Sequence, residues 1–332
     1  MDAVVAGATA GILGEVMVYR LNPEVSQTAV AILPGAVMWA SWGALGFGLP
    51  LFLVAVVVRR IARRRGGWSV PALVGVAYLV AGIMSKVNAD LHEHLLSPSA
   101  RLVMRQDAVA WGGGALIALL GGFLVWRRGA TPRLRYGFAL VLMVLPLVRF
   151  LTVSTPPDFP LEVATRAIGE PERRLVVVGV EGLDSGVLLG SADDLRYPTL
   201  TELRRNGSWG PLRPHRPYLR RAAWTSVATG CYPDQHGVKS RWGWLLPWLP
   251  GEPLRLLPWT PQGSRLILPW GIADRVTPPP ASVPPIWERV RASGVATVAV
   301  AWPGIWGPHV TLDEPQAADV TNLDSDVRSS LQ

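Results

Sequence analysis

The stretch RRLVVVGVEGLDSG, residues Arg173 to Gly186, decides the fold predicted for the second half of the chain. Its apolar run from Leu175 to Val180 is rich in β-branched residues, which favours a strand buried on both faces of a parallel sheet. Glu181 follows at the carboxyl end of that strand. Because ligands of open α/β sheets collect outside the carboxyl ends of strands, this carboxylate stands where a metal ion or a phosphate would bind. The alternative is a solvated carboxylate in a loop.

A second segment, RRAAWTSVATGCYPDQHG, covers Arg220 to Gly237. The spacing from Trp224 to Thr229 predicts a helix that ends at Gly230, and the residues that follow are typical of a turn. His236 lies in this turn. We expect it to tie the turn together, with contact to a functional site as the alternative.

Several motifs in this order resemble the type I phosphodiesterase and nucleotide pyrophosphatase branch of the alkaline phosphatase superfamily. They are RLVVVGVEGLD, then Tyr197 to Pro214, then AAWTSVATGCYPDQHGV, and finally Pro284 to Pro308. The resemblance covers roughly residues 173 to 310. It implies a partial alkaline phosphatase-like α/β/α sandwich over residues 173–332, and metal-dependent cleavage of phosphate esters.

The resemblance also assigns roles to individual residues. Glu181 would be a metal ligand, and the metal would be a divalent ion, with zinc expected. Ten residues before the glycine of the Thr-Gly pair, where the family carries its hydroxyl nucleophile, this chain has Arg220. A guanidinium cannot attack phosphorus, so Arg220 and Arg221 are predicted to bind the substrate anion. Thr225 is the candidate nucleophile, and its alternative role is that of an ordinary helix residue.

The family completes its metal sites with later Asp and His residues, commonly in an Asp-His-Gly triplet that this sequence lacks. Two divalent ions beside one phosphate need about six ligands. The late acids, such as Asp313 and Asp319, match no family position. The chain is therefore expected to be either a piece of a longer enzyme or a relative without turnover.

The first half of the chain has the composition of a membrane protein. The 32 residues from Gln27 to Val58 carry no charge, which is enough to cross a bilayer. Four further candidate spans are Val4 to Val18, Ser69 to Ser85, Ala108 to Trp126 and Gly137 to Val153. We therefore predict an all-α transmembrane bundle of about five helices over residues 1–153, joined by a linker at 154–172 to the α/β domain.

Arginine clusters predict the orientation of this bundle. They lie at Arg59 to Arg65 and at Arg127 to Arg135, after the second and fourth spans. Cytoplasmic loops are enriched in such residues, so the N-terminus should be cytoplasmic and the second half extracytoplasmic. The net charge of +8 is then an orientation signal, and no nucleic-acid partner is expected. The lone Cys231 is expected to be a buried thiol.

Two further regions leave alternatives open. Residues from Arg241 to Pro285 are dense in Trp and Pro, and the resemblance assigns them to substrate specificity, with an ordered surface loop as the alternative. Residues from Asn88 to His94 could bind a metal ion, but a wet interfacial loop fits their spacing better.

Three functions follow as hypotheses. The first is a membrane-anchored, extracytoplasmic phosphodiesterase or phosphatase. The second is a transferase of phospholipid head groups with the same fold. The third is a catalytically inactive relative that binds an anion or scaffolds a partner. The bilayer is a partner in all three, and the oligomeric state is not predicted.

Overall fold

A computed structural model describes both halves of the chain in part. The described residues are 2–25, 27–62, 70–129, 131–154, 175–182, 198–210, 212–213, 215–240, 242–249, 251–259, 274–276, 281–299 and 302. The predicted linker, apart from its first residue, and the late acids beyond residue 302 lie outside this range.

The first half is a helical bundle. Its helices are α1 (Asp2–Leu21), α2 (Ala29–Gly43), a π-helical turn (Ala44–Gly48), α3 (Leu49–Ala62), α4 (Val70–Leu91), α5 (Pro98–Arg127) and α6 (Pro132–Thr152). Among the described residues, five helical stretches are long and apolar enough to cross a membrane. They correspond to the five predicted spans, and the bundle exposes many large apolar side chains, as a lipid-facing surface does.

Helix α1 occupies the centre of this bundle. Gly7 and Gly11 are spaced four residues apart, and a side chain at either position would collide with the backbone of the α2 region, at Gly43 and Trp39 respectively. Small residues at this spacing let two membrane helices approach closely. The backbones of α1 and α2 are therefore in direct contact.

Polar contacts fix which helix ends lie together. The Tyr136 hydroxyl near the start of α6 donates to the Asp2 carboxylate at the start of α1, at 2.8 Å. At the opposite end, Asp107 of α5 accepts from Arg20 of α1 at 2.8 Å and from Arg149 of α6 at 2.6 Å. Arg20 and Asp107 are almost fully buried. This ion triad joins three helices at the end of the bundle that faces the second half of the chain.

The second half contributes short elements among its described residues. They are α7 (Pro198–Asn206), α8 (Arg220–Thr229), α9 (Pro233–His236), β1 (Gly243–Leu245), β2 (Asp274–Val276) and α10 (Ile286–Ala292). Strands β1 and β2 pair antiparallel, with Trp244 opposite Arg275. The predicted helix at 199–206, which ends at Gly207, is confirmed.

The predicted buried strand from Leu175 to Val180 differs from the structure. These residues have no strand pairing, and their leucine and valines are 57% to 82% exposed. An apolar run becomes a strand only when a neighbouring strand takes up its backbone hydrogen bonds, and the described residues provide no such neighbour here. The parallel sheet of the predicted sandwich is therefore not established by the described residues.

The Trp-rich region packs on the bundle. We call residues 242–249 and 251–259 the docking segment. Its Leu246, Leu249 and Leu254 belong to the same apolar cluster as Val16 and Tyr19 of α1. These three leucines are buried against the bundle, which an ordered surface loop would not require. The role in substrate specificity stays a prediction.

Candidate active site

Helix α8 is the element around which the candidate site is built. Its N-cap residue is Leu219, whose apolar side chain cannot accept a hydrogen bond from the first turn. At the other end Gly230 adopts a left-handed conformation with φ 70°, and its N–H donates to the Ser226 carbonyl at 2.8 Å. The helix predicted before Gly230 is confirmed, and its N-terminus carries backbone donors with no side-chain cap.

The structure brings Glu181 and Arg220 together. The Arg220 guanidinium contacts the Glu181 carboxylate at the N-terminus of α8. The side chains of Arg220 and Glu181 are 62% and 37% exposed, so solvent screens the pair and its contribution to stability is small. An incoming phosphate could therefore replace the carboxylate as the partner of Arg220 at little cost.

Aromatic packing holds the Glu181 region against the helix. A side chain at Gly179 would collide with the ring of Trp224, so the backbone passes directly over this tryptophan. The Trp302 indole N–H donates to the Trp224 carbonyl at 3.1 Å, and the two rings meet edge to face with centroids 5.4 Å apart. Among the described residues, this aromatic contact is what holds Glu181 near the start of α8.

Two other predicted site residues, Arg221 and Thr225, are buried. Thr225 is fully buried, and its hydroxyl donates to the Arg221 carbonyl at 2.8 Å. Arg221 itself is only 7% exposed, and burial, with the nearby Arg255 guanidinium, lowers its pKa. Arg221 and Thr225 are thus buried, unlike the partly exposed Glu181–Arg220 pair. The substrate-binding role of Arg221 and the nucleophilic role of Thr225 stay predictions.

A second polar cluster lies on another side of α8. His236 is fully buried, and its Nδ1 accepts from the Val238 N–H at 3.1 Å. The neutral ring then carries its proton on Nε2, which donates to the Ser226 hydroxyl oxygen at 3.0 Å. The hydroxyl proton of Ser226 is left to point towards His215 Nε2, at 3.4 Å. His236 thus ties the turn to the helix, as the sequence predicted.

The helical bundle contributes a residue to this cluster. His94, from the loop between α4 and α5, stacks on Tyr232 with ring centroids 5.0 Å apart and lies 6.5 Å from the His215 ring. Burial, followed by the charge of His94, lowers the pKa of His215. Burial, followed by the charge of His215, lowers the pKa of His236 to about 4. Both rings are therefore neutral near pH 7.

Sequence reasoning did not connect these histidines. His94 and His215 are far apart in the chain, and the sequence predicted an interfacial loop around His94 and no site at His215. The nearby His92 is buried, with its Nδ1 2.9 Å from the Asn88 carbonyl, and so has a structural partner in the last turn of α4. Only the packing of the loop against Tyr232 reveals the cluster.

The donor groups near α8 decide whether a metal ion fits the site. Within the described residues, no group of three or more His, Cys, Asp or Glu side chains is arranged to hold a metal ion. The Glu181 carboxylate already faces a guanidinium, which opposes a cation at the same place. The described residues at α8 therefore do not fit the two-metal site that the resemblance implies.

Comparison with known proteins gives one positive result. Residues 175–328 match the type I phosphodiesterase / nucleotide pyrophosphatase family. The matched stretch is slightly less than half of the chain and contains both Glu181 and α8. No curated protein matches. No solved structure matches either.

Proposed function

We propose that this chain is a membrane-anchored phosphoric ester hydrolase that acts outside the cytoplasm and binds the substrate phosphate at the N-terminus of α8. The observation that carries the proposal is the contact between Arg220 and Glu181 at an uncapped helix start, inside the stretch that matches a phosphodiesterase family. Five membrane-length helices support the anchoring.

The residues at α8 suit the binding and activation of a phosphate ester. The backbone N–H groups of the first turn, which have no side-chain cap, and the helix dipole favour an anion at this place. Arg220 can donate two parallel hydrogen bonds to phosphate oxygens once it leaves Glu181. The same charge stabilises the negative oxygens that develop as the phosphorus–oxygen bond breaks.

The location and the metal belong to the proposal as well. The helix ends joined by the Arg20–Asp107–Arg149 triad face the second half of the chain, whereas Asp2 and Tyr136 mark the other end, close to the arginine-rich loop before α6. By the positive-inside bias this other end is cytoplasmic.

Zinc dependence rests on the resemblance alone, and because the described donors do not fit a metal pair, no step is assigned to a metal.

Release of p-nitrophenol from bis(p-nitrophenyl) phosphate by the full chain in nanodiscs, with and without added zinc, tests the proposal. We expect turnover by the wild type, and a fall of about tenfold to a hundredfold in kcat/KM for Arg220→Ala, because a charge-assisted hydrogen bond is lost. The exposed Arg213→Ala is the matched control. Absence of turnover under both conditions would refute the hydrolase.

A second candidate function is an inactive relative that binds an anion. It is favoured by Arg220 itself, which stands where the resemblance places a nucleophile, and by Thr225, whose hydroxyl is buried and bonded to the helix backbone. Such a protein would bind inorganic phosphate in the same assay conditions without releasing p-nitrophenol, and Arg220→Ala would abolish the binding. Turnover of a labelled phospholipid in the same nanodiscs would instead support the transferase.

A further inference from the structure

We propose that the membrane bundle positions α8 through two buried asparagines, Asn22 and Asn88, and is therefore a working part of the candidate site as well as its anchor. The asparagines hold the docking segment, and the docking segment holds the turn that follows α8. The turnover experiment below rests on the proposed hydrolase, whereas the exchange experiment does not.

Asn22 uses its whole side-chain amide on this contact. It is fully buried just beyond the end of α1. Its Oδ1 accepts from the backbone N–H of Arg255 at 2.6 Å and of Leu256 at 2.8 Å. Its Nδ2 donates to the Leu256 carbonyl at 2.8 Å and to the Val18 carbonyl at 2.8 Å. Asn22 thus pairs with the segment backbone much as a neighbouring strand would.

Asn88 repeats the arrangement from α4. It is fully buried, and its Oδ1 accepts from the Trp259 N–H at 2.6 Å. Its Nδ2 donates to the Trp259 carbonyl at 3.2 Å and to the Met84 carbonyl at 2.9 Å. Buried backbone groups need partners, and here two different helices of the bundle supply them to one stretch of chain.

The docking segment in turn contacts the turn that follows α8 and so positions this helix. The Arg255 guanidinium donates to the Gly237 carbonyl at 2.5 Å, at the end of the turn that follows α8. Glu24, just after α1, lies 3.2 Å from the Lys239 ammonium and 3.6 Å from the Arg255 guanidinium. From the same turn, His236 bonds Ser226 within α8. A continuous chain of polar contacts therefore links α1 to α8.

Apolar packing supports the same link. Ala222 of α8 and Leu256 of the docking segment share one buried cluster with Met17 and Leu21 of α1, and Leu95 after α4 belongs to it as well. A simple tether would need only a covalent connection. The bundle instead presents two hydrogen-bonded buried asparagines and an apolar surface to this segment, and both contacts lead to α8.

The test compares Asn22→Leu with the exposed Asn206→Leu in the full chain in nanodiscs, by hydrogen exchange of individual peptides. We expect the Arg255 and Leu256 amides to exchange at least tenfold faster in Asn22→Leu, because they lose their acceptor. We expect the α8 amides to exchange faster as well, and kcat to fall with KM changed less. Asn206→Leu should leave the exchange of the docking segment, the exchange of α8 and the kcat unchanged.

Arg255→Met keeps the proposal testable if Asn22→Leu does not fold, because it leaves every bundle residue intact. It should speed exchange in α8 while the amides held by Asn88 stay protected. Unchanged exchange in α8 in a folded variant whose docking segment has opened would overturn the proposal. If the variants show the expected exchange changes but the wild type shows no turnover, the result counts against the proposed hydrolase and leaves the positioning of α8 by the bundle intact.

Discussion

Acidification should destabilise the part of the protein that surrounds α8, because His236 is buried as the neutral ring. Burial lowers its pKa from 6.5 to about 4. Between these two pH values the unfolded chain binds a proton on this ring and the folded chain does not, so the unfolded state is favoured. The stabilisation is complete above about pH 6.5 and is lost as the pH falls towards 4. At about pH 4.5 the loss from this one ring is about 2.5 kcal/mol.

The charged or titratable groups that face His236 are His215 and Lys239, and both oppose its protonation. Urea unfolding of the extramembrane part in nanodiscs, followed by tryptophan fluorescence at about pH 7 and about pH 4.5, measures the effect. His236→Gln cannot titrate and should lose about 2.5 kcal/mol less than the wild type over this range. The exposed Arg213→Gln, which removes no group that titrates in this range, serves as the control substitution. Equal pH dependence in wild type and His236→Gln would refute the reasoning.

Two further predictions concern the bundle. Asp107→Asn removes the charge that Arg20 and Arg149 share, and it should destabilise the bundle by about 3–5 kcal/mol because Arg20 is buried. Thermal unfolding in detergent measures this loss of stability. A loss below about 1 kcal/mol would contradict the prediction. Gly11→Leu should prevent close packing of α1 on α2 and so lower the yield of folded protein. Gly46 has open space around it, so Gly46→Leu should be tolerated. Equal yields of the two variants would contradict the packing of α1 on α2.

The bundle was largely predictable because lipid imposes a long apolar pattern on each span. The start of α5 was missed by ten residues, since Arg101, Arg105 and Asp107 break the apolar run. The structure shows why they are tolerated: Arg101 pairs with Glu93 and Arg105 with Asp90 at the bundle end. Charge pairing between helices is not visible in the composition of one helix.

The candidate site was predictable only where its residues are local in sequence. The helix before Gly230 follows from spacing and a glycine cap, and the meeting of Glu181 with Arg220 agrees with the order of the motifs. The burial of Thr225 and the approach of His94 depend on how α8 packs against the bundle. No local pattern reports a contact between residues separated by more than a hundred positions.

The pairing of Asn22 with Leu256 spans 234 positions, which has a consequence for biosynthesis. During translation, helix α1 is made long before its partner backbone exists, so the amide of Asn22 must remain hydrated, or find temporary partners, until four more spans have been inserted. Closing so long a loop is entropically slow, which makes the arrival of residue 256 a late event in maturation.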